Sequence, residues 1–186
     1  MNRVGSIKAH PLTLNGVALL IGLGLYFVVF KGIWNVHVPS GGIGTVTLVA
    51  GVIALVLAHE GIHGAAALLF VPANKISFRI GLLVVMCRVE AFMTRNQFIF
   101  YSLAPAAVLG LAGVFLYYVL GSVEGKFLSA LLFLGGVASA GGDIWFAFQL
   151  LKLPDRTFVI DRGIEMEIFD GSPPHEGPHE SLQTPS

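Results

Sequence analysis

The sequence predicts an all-α membrane protein with four transmembrane helices and a short β-hairpin between the second and third. Three observations carry that prediction. Only 12% of the 186 residues are charged, 55% are hydrophobic, and the mean hydropathy is +0.80. A soluble domain carries roughly 25% charged residues, so this chain has too little polar surface to cover a water-soluble globule. Four apolar runs, at residues 14–30, 43–70, 97–121 and 127–151, approach or exceed the ~20 residues that cross a bilayer at ~1.5 Å rise each. Between the second and third runs the pattern changes to period two. Ile76, Phe78 and Ile80 alternate with Ser77, Arg79 and Gly81, and Val85, Cys87 and Val89 alternate with Met86, Arg88 and Glu90. That alternation places a hairpin there, turning near residues 81–83.

The elements follow in order. Residues 1–13 form a basic N-terminus. The first run resembles a signal peptide, but its 17 residues exceed a usual signal core and Lys31 follows without a small-residue cleavage site. It reads as an uncleaved first span. Pro39-Ser40-Gly41-Gly42 is a turn-rich link to the second. Residues 122–126 form a short loop, which makes the third and fourth helices antiparallel neighbours. Residues 14–151 therefore form the membrane core, and 152–170 a polar C-terminal segment with short strands at 157–160 and 166–169. The stretch 171–186, rich in Pro, Gly, Ser and His, is expected to be a disordered tail.

Cations set the orientation. Arg3, Lys8, Lys75, Arg79, Arg88, Arg95, Lys152, Arg156 and Arg162 fall on one side of the predicted spans, against Lys31 and Lys126 on the other. Both termini are thus expected in the cytoplasm and the chain as a multi-pass protein of the cell membrane. A net charge of zero gives no reason to expect a nucleic-acid partner. Cys87 is the single cysteine, so no intramolecular disulfide forms; it reads as a small buried apolar residue.

Charge inside the apolar runs is rare. Glu60 is the only charged side chain between Lys31 and Lys75, and Asp143 the only one in the fourth run. Glu60 belongs to His59-Glu60-Gly61-Ile62-His63, the pattern H-E-x-x-H. On a helix, positions i and i+4 share a face, so both imidazoles can bind one Zn²⁺. Glu60 beside them is the candidate catalytic base for a zinc-bound water. Intramembrane His and Glu are costly unless coordinated or paired, which strengthens the reading. The same pattern recurs at His175-Glu176-Gly177-Pro178-His179, where Gly177 and Pro178 oppose the helix that would align the two His. That copy is read as a solvated tail.

Two His leave a zinc site one protein ligand short. His10 and His37 lie near span ends. His59 stands 16 residues beyond Ile43 and Asp143 stands 16 beyond Phe127 (59 − 43 and 143 − 127). Both helices run outside to inside, so both groups lie ~24 Å along their axes, in the cytoplasmic half of the bilayer. Small residues from Gly135 to Gly142 would let the helices approach closely. Asp143 is the expected third ligand. Arg95 and Asn96 are polar candidates for oxyanion stabilisation with no motif behind them.

His59-Glu60-Gly61-Ile62-His63-Gly64, then Leu103-Ala104-Pro105, then Gly141-Gly142-Asp143-Ile144-Trp145, resemble a family of membrane zincin peptidases filed as a domain of unknown function and related to the site-2 protease type. The resemblance covers residues 43–169. It implies His59, His63 and Asp143 as zinc ligands, Glu60 as catalytic acid/base, and cleavage of membrane proteins or membrane-adjacent peptides. Here the Asp follows Gly-Gly and precedes Ile-Trp, where the usual site-2 signature has Leu-Asp-Gly after Asn and Pro. The function expected is an intramembrane zinc metalloprotease. The alternatives are a metal-binding membrane protein without proteolysis, such as a transporter or pseudoprotease, and a purely structural membrane protein.

Overall fold

The computed structural model describes residues 2–8, 10–39, 45–80, 85–162 and 165–171. The turn expected near 81–83, the second H-E-x-x-H copy and residues 172–186 of the tail lie outside these. In chain order the elements are β1 (Asn2–Lys8), α1 (Pro11–Leu25), α2 (Thr45–Ala67), β2 (Ile76–Ile80), β3 (Val85–Val89), β4 (Met93–Thr94), α3 (Arg95–Val119), α4 (Val123–Ser139), α5 (Gly141–Leu150), β5 (Thr157–Asp161) and β6 (Glu165–Asp170).

Local chemistry sets several boundaries. Pro11 opens α1, where a missing N–H is harmless. α1 then loosens into π-helical turns over Tyr26–Ile33. α2 closes with Leu68 N donating to the Gly64 carbonyl, and Pro72 follows its last turn. Thr94 and Gln97 form a reciprocal capping box on α3: Gln97 N donates to Thr94 Oγ1 at 3.3 Å and Thr94 N to Gln97 Oε1 at 2.8 Å. Ser122 caps α4 by accepting from Gly125 N.

The helices pack through small residues. A methyl group placed on Gly113 would stand 2.6 Å from the Phe133 amide nitrogen, and one on Gly136 2.5 Å from Leu109 Cβ, so α3 and α4 approach as far as their backbones allow. α1 and α5 touch as closely, since a Cβ on Gly141 would lie 2.7 Å from Ala18 Cα. The outward faces stay apolar: Leu20, Phe27, Val52, Leu111 and Phe115 are all exposed. Among the described residues, three helical stretches, Gly16–Ile33, Leu48–Ala67 and Arg95–Val119, are long and apolar enough to cross a membrane. Counting α4 and α5 as one bent span makes four.

Two expectations are corrected. The fourth run is not one straight helix, because α4 and α5 meet at Ala140 with a 42° bend. Ser139 Oγ donates to the Gly136 carbonyl at 3.2 Å, a back-bond that competes with the helical ladder, and Gly141-Gly142 follows. Nor is the chain all-α. The predicted hairpin is present, with β2 antiparallel to β3 and Ile76 opposite Val89, Phe78 opposite Cys87 and Ile80 opposite Val85. The two late strands also form, as β5 and β6. They belong to a four-stranded sheet in the order β1–β6–β5–β4. The strand β1 leaves little local signal, because most of its residues are exposed and only Gly5 and Ile7 are half-buried. It exists through pairing with β6 at the other end of the chain, aided by Arg3 and Lys8 on Glu165. Those contacts and a hydrogen bond from Ser6, which is the larger effect, hold the Glu165 carboxyl below its usual range.

Both sheets gather at one end of the helices. There Ala67 and Val71 at the end of α2 pack with Val89, Met93, Phe146, Leu150, Val159 and Met166 in the main core. A smaller cluster sits at the opposite end, where Trp34 stacks on Tyr117 at 4.1 Å and Tyr117 Oη donates to the Trp34 carbonyl.

Candidate metal centre

The site is built at the sheet-bearing end of the bundle. One helical turn of α2 carries His59 and His63, which are 6% and 4% exposed. Their rings stand 4.9 Å apart. The bend at Ala140 starts α5 afresh and puts Asp143 in its first turn, facing α2. Asp143 Oδ2 lies 3.2 Å from His59 Nε2 and 3.4 Å from His63 Nε2. All three groups offer a ligand atom within 4.8 Å of the others, so they could hold a metal ion. The two Asp143–His spacings fit zinc: bonds of about 2.0–2.1 Å at tetrahedral angles put neighbouring ligand atoms about 3.3–3.4 Å apart.

Each imidazole also has a hydrogen-bond partner on its Nδ1 side. Ser139 Oγ lies 3.1 Å from His59 Nδ1, and with its own proton on the Gly136 carbonyl it can accept the Nδ1 proton. His63 Nδ1 donates to the Tyr101 carbonyl at 3.0 Å. In each ring this leaves Nε2, the atom facing Asp143 Oδ2, as the one that would ligate a metal ion. The free Tyr101 carbonyl has a cause in the sequence. Pro105 lies four residues on within α3 and has no N–H, so the helical bond to Tyr101 O is missing. The vacant carbonyl is the one His63 uses.

Glu60 faces a different partner. Its Oε2 accepts the backbone N–H of Cys87 on β3 at 2.6 Å. Beyond it, Tyr101 Oη donates to Asp161 Oδ2 at 2.9 Å. Burial pushes the Cys87 thiol up to about 11, against a weaker opposing hydrogen bond with Tyr101, which favours the protonated thiol at neutral pH. A cavity of about 330 Å³ joins these groups, with Leu14 and Ala18 of α1 on one wall and Met166 of β6 on another.

The family comparison bears on this segment. A family model described as "Putative zincin peptidase" matches residues 52–158, more than half of the chain. The chain belongs to that zincin peptidase family. No curated protein and no solved structure matches it. The matched segment contains both His, Glu60, Tyr101, Pro105, Ser139 and Asp143, and the zincin description implies zinc as the cofactor of such a group. β1, α1 and β6 lie outside it.

Several participants were not legible in sequence. Ser139 precedes Asp143 by four residues within a small-residue stretch and looks like packing. Asp161 sits in a polar segment and resembles a surface acid, yet it is buried. Cys87 enters through its backbone, which no side-chain pattern reveals. Arg95 and Asn96, by contrast, do not line the cavity. Arg95 bonds the Leu153 carbonyl, Asp155 and Asn96 instead, and ties the start of α3 to the turn before β5. His10 and His37 also stand outside the cavity lining.

Proposed function

We propose that this chain is an intramembrane zinc metallopeptidase cutting membrane proteins or membrane-adjacent peptides, and that it resembles the site-2 protease type in mechanism. The observation that carries the reading is the convergence of His59 Nε2, His63 Nε2 and Asp143 Oδ2, with Glu60 beside them, at the end of helices whose outer faces are apolar. The bilayer is the solvent those faces fit. His59, His63 and Asp143 would hold the zinc, which when bound supplies a Lewis-acid charge that polarises water and the scissile carbonyl. Glu60 takes a proton from the attacking water and returns it to the leaving amine. Ser139 and the Tyr101 carbonyl keep both imidazoles aimed. From Leu48 to Ala58, α2 carries no polar side chain, so no polar track leads along it from the site, which favours a peptidase over a transporter.

A helical substrate hides its carbonyls and must unwind before the attack. An extended segment can instead add to the β2–β3 hairpin as a further strand. The sheet-bearing end carries nine of the eleven cations, which supports a cytoplasmic mouth for the site. The test is purified zinc-loaded protein, with and without Glu60→Gln, assayed against a library of membrane peptides. Glu60→Gln should lower cleavage at least 100-fold, the low end for a general base. Equal activity in both would exclude Glu60 as that base.

A further inference from the structure

Among the described residues, the β3 strand has one neighbour in its sheet, β2. Arg88 is opposite Ser77 and Met86 opposite Arg79, and just past the strand Glu90 N donates to the Lys75 carbonyl at 2.8 Å. Amides alternate sides along an antiparallel strand. The N–H groups of Met86, Arg88 and Glu90 therefore face β2, and those of Val85, Cys87 and Val89 face away from it. On that second edge the Cys87 N–H is held by Glu60 Oε2 at 2.6 Å. Val85, Cys87 and Glu60 all line the same cavity.

An extended peptide adding to β3 needs the same edge, and the Cys87 N–H is its middle donor. One N–H serves one strong acceptor at a time. We propose that Glu60 is parked on β3, and that strand addition by an extended peptide displaces it and so frees the carboxylate to act. This rests on the peptidase reading above and deepens it. A charge-assisted bond is roughly twice as strong as a neutral one, so a fragment offering a single carbonyl loses the competition. A peptide that also pairs with Val85, which lines the same cavity, gains a further ladder bond and wins it. The substrate class is then an unwound segment several residues long, selected through its main chain, and base activation is coupled to its docking.

The first test reads binding alone. The full chain, zinc-loaded in detergent, is titrated with a fluorescent eight-residue peptide of alternating Val and Thr, in wild type and in Glu60→Ala. Removing the competitor should tighten binding roughly 3- to 10-fold, the worth of one hydrogen bond, although the variant is catalytically dead. The same peptide N-methylated at every residue should show no such gain. Equal or weaker binding by Glu60→Ala overturns the proposal. The second test deletes the donor. Cys87→Pro removes an N–H that faces away from β2, a position where an edge strand tolerates proline. Its cleavage of a three-residue fluorogenic peptide should rise severalfold relative to its cleavage of the eight-residue peptide. An unchanged ratio overturns the proposal. If no form of the protein cleaves any peptide, the peptidase reading fails, and the binding comparison still decides whether Glu60 is parked.

Discussion

Two hydrogen bonds that never touch the metal position decide what His59 and His63 can do. A neutral imidazole carries one proton, and it ligates only through the nitrogen that lacks it. Ser139 Oγ takes the proton side of His59 and the Tyr101 carbonyl takes that of His63. Without such partners either ring could present N–H to the site. Ser139→Ala should therefore weaken zinc binding by roughly 10- to 100-fold, the usual loss for such a partner. Competition with a fluorescent chelator measures it, and circular dichroism should show the helices intact. Unchanged affinity would mean that His59 is oriented by packing alone.

At the scale of the element, two helix irregularities make the site. The bend between α4 and α5 turns Asp143 toward α2 and frees Ser139 at a helix end. In α3, Pro105 leaves the Tyr101 carbonyl without its ladder partner, and His63 takes its place. Each break costs the helix a hydrogen bond and gives the site an oriented group. This separates helix stability from site quality. Pro105→Ala restores an N–H to α3 and should raise thermal stability, since interior proline disfavours a helix by about 3 kcal/mol. The same substitution makes the Tyr101 carbonyl a shared acceptor and should weaken zinc binding. Paired melting and zinc titration check this, and a parallel change in both quantities would refute it.

For the whole molecule, the ends of the chain belong to the same structure as the site. β1 and β6 pair to close the sheet, Met166 of β6 and Leu14 of α1 wall the cavity, and β5 supplies Asp161. Joining β1 to β6 puts residues 2–8 and 165–170 at one end of the bundle. In a membrane this would put both strands on one side, and the cation bias predicts that side to be the cytoplasm. Reporter fusions at residue 1 and residue 186 should both give a cytoplasmic signal. Opposite signals from the two ends would contradict the sheet, and two external signals would reverse the orientation.

Sequence by itself determined what depends on composition and short spacing. Low charge and long apolar runs marked the helices, period two marked β2 and β3, and the i, i+4 step of a helix put His59 and His63 on one face. Asp143 stood out because an acid inside an apolar run is costly. The tertiary structure alone decided what depends on contacts between distant segments. No local pattern in residues 2–8 announces a strand whose partner lies past residue 164. No side-chain motif reveals that the Cys87 backbone N–H meets Glu60, or that Pro105 frees a carbonyl for His63. The physical reason is that spacing fixes which residues share a helix face, while backbone donors and acceptors are the same at every residue and gain a role only from what folding sets opposite them.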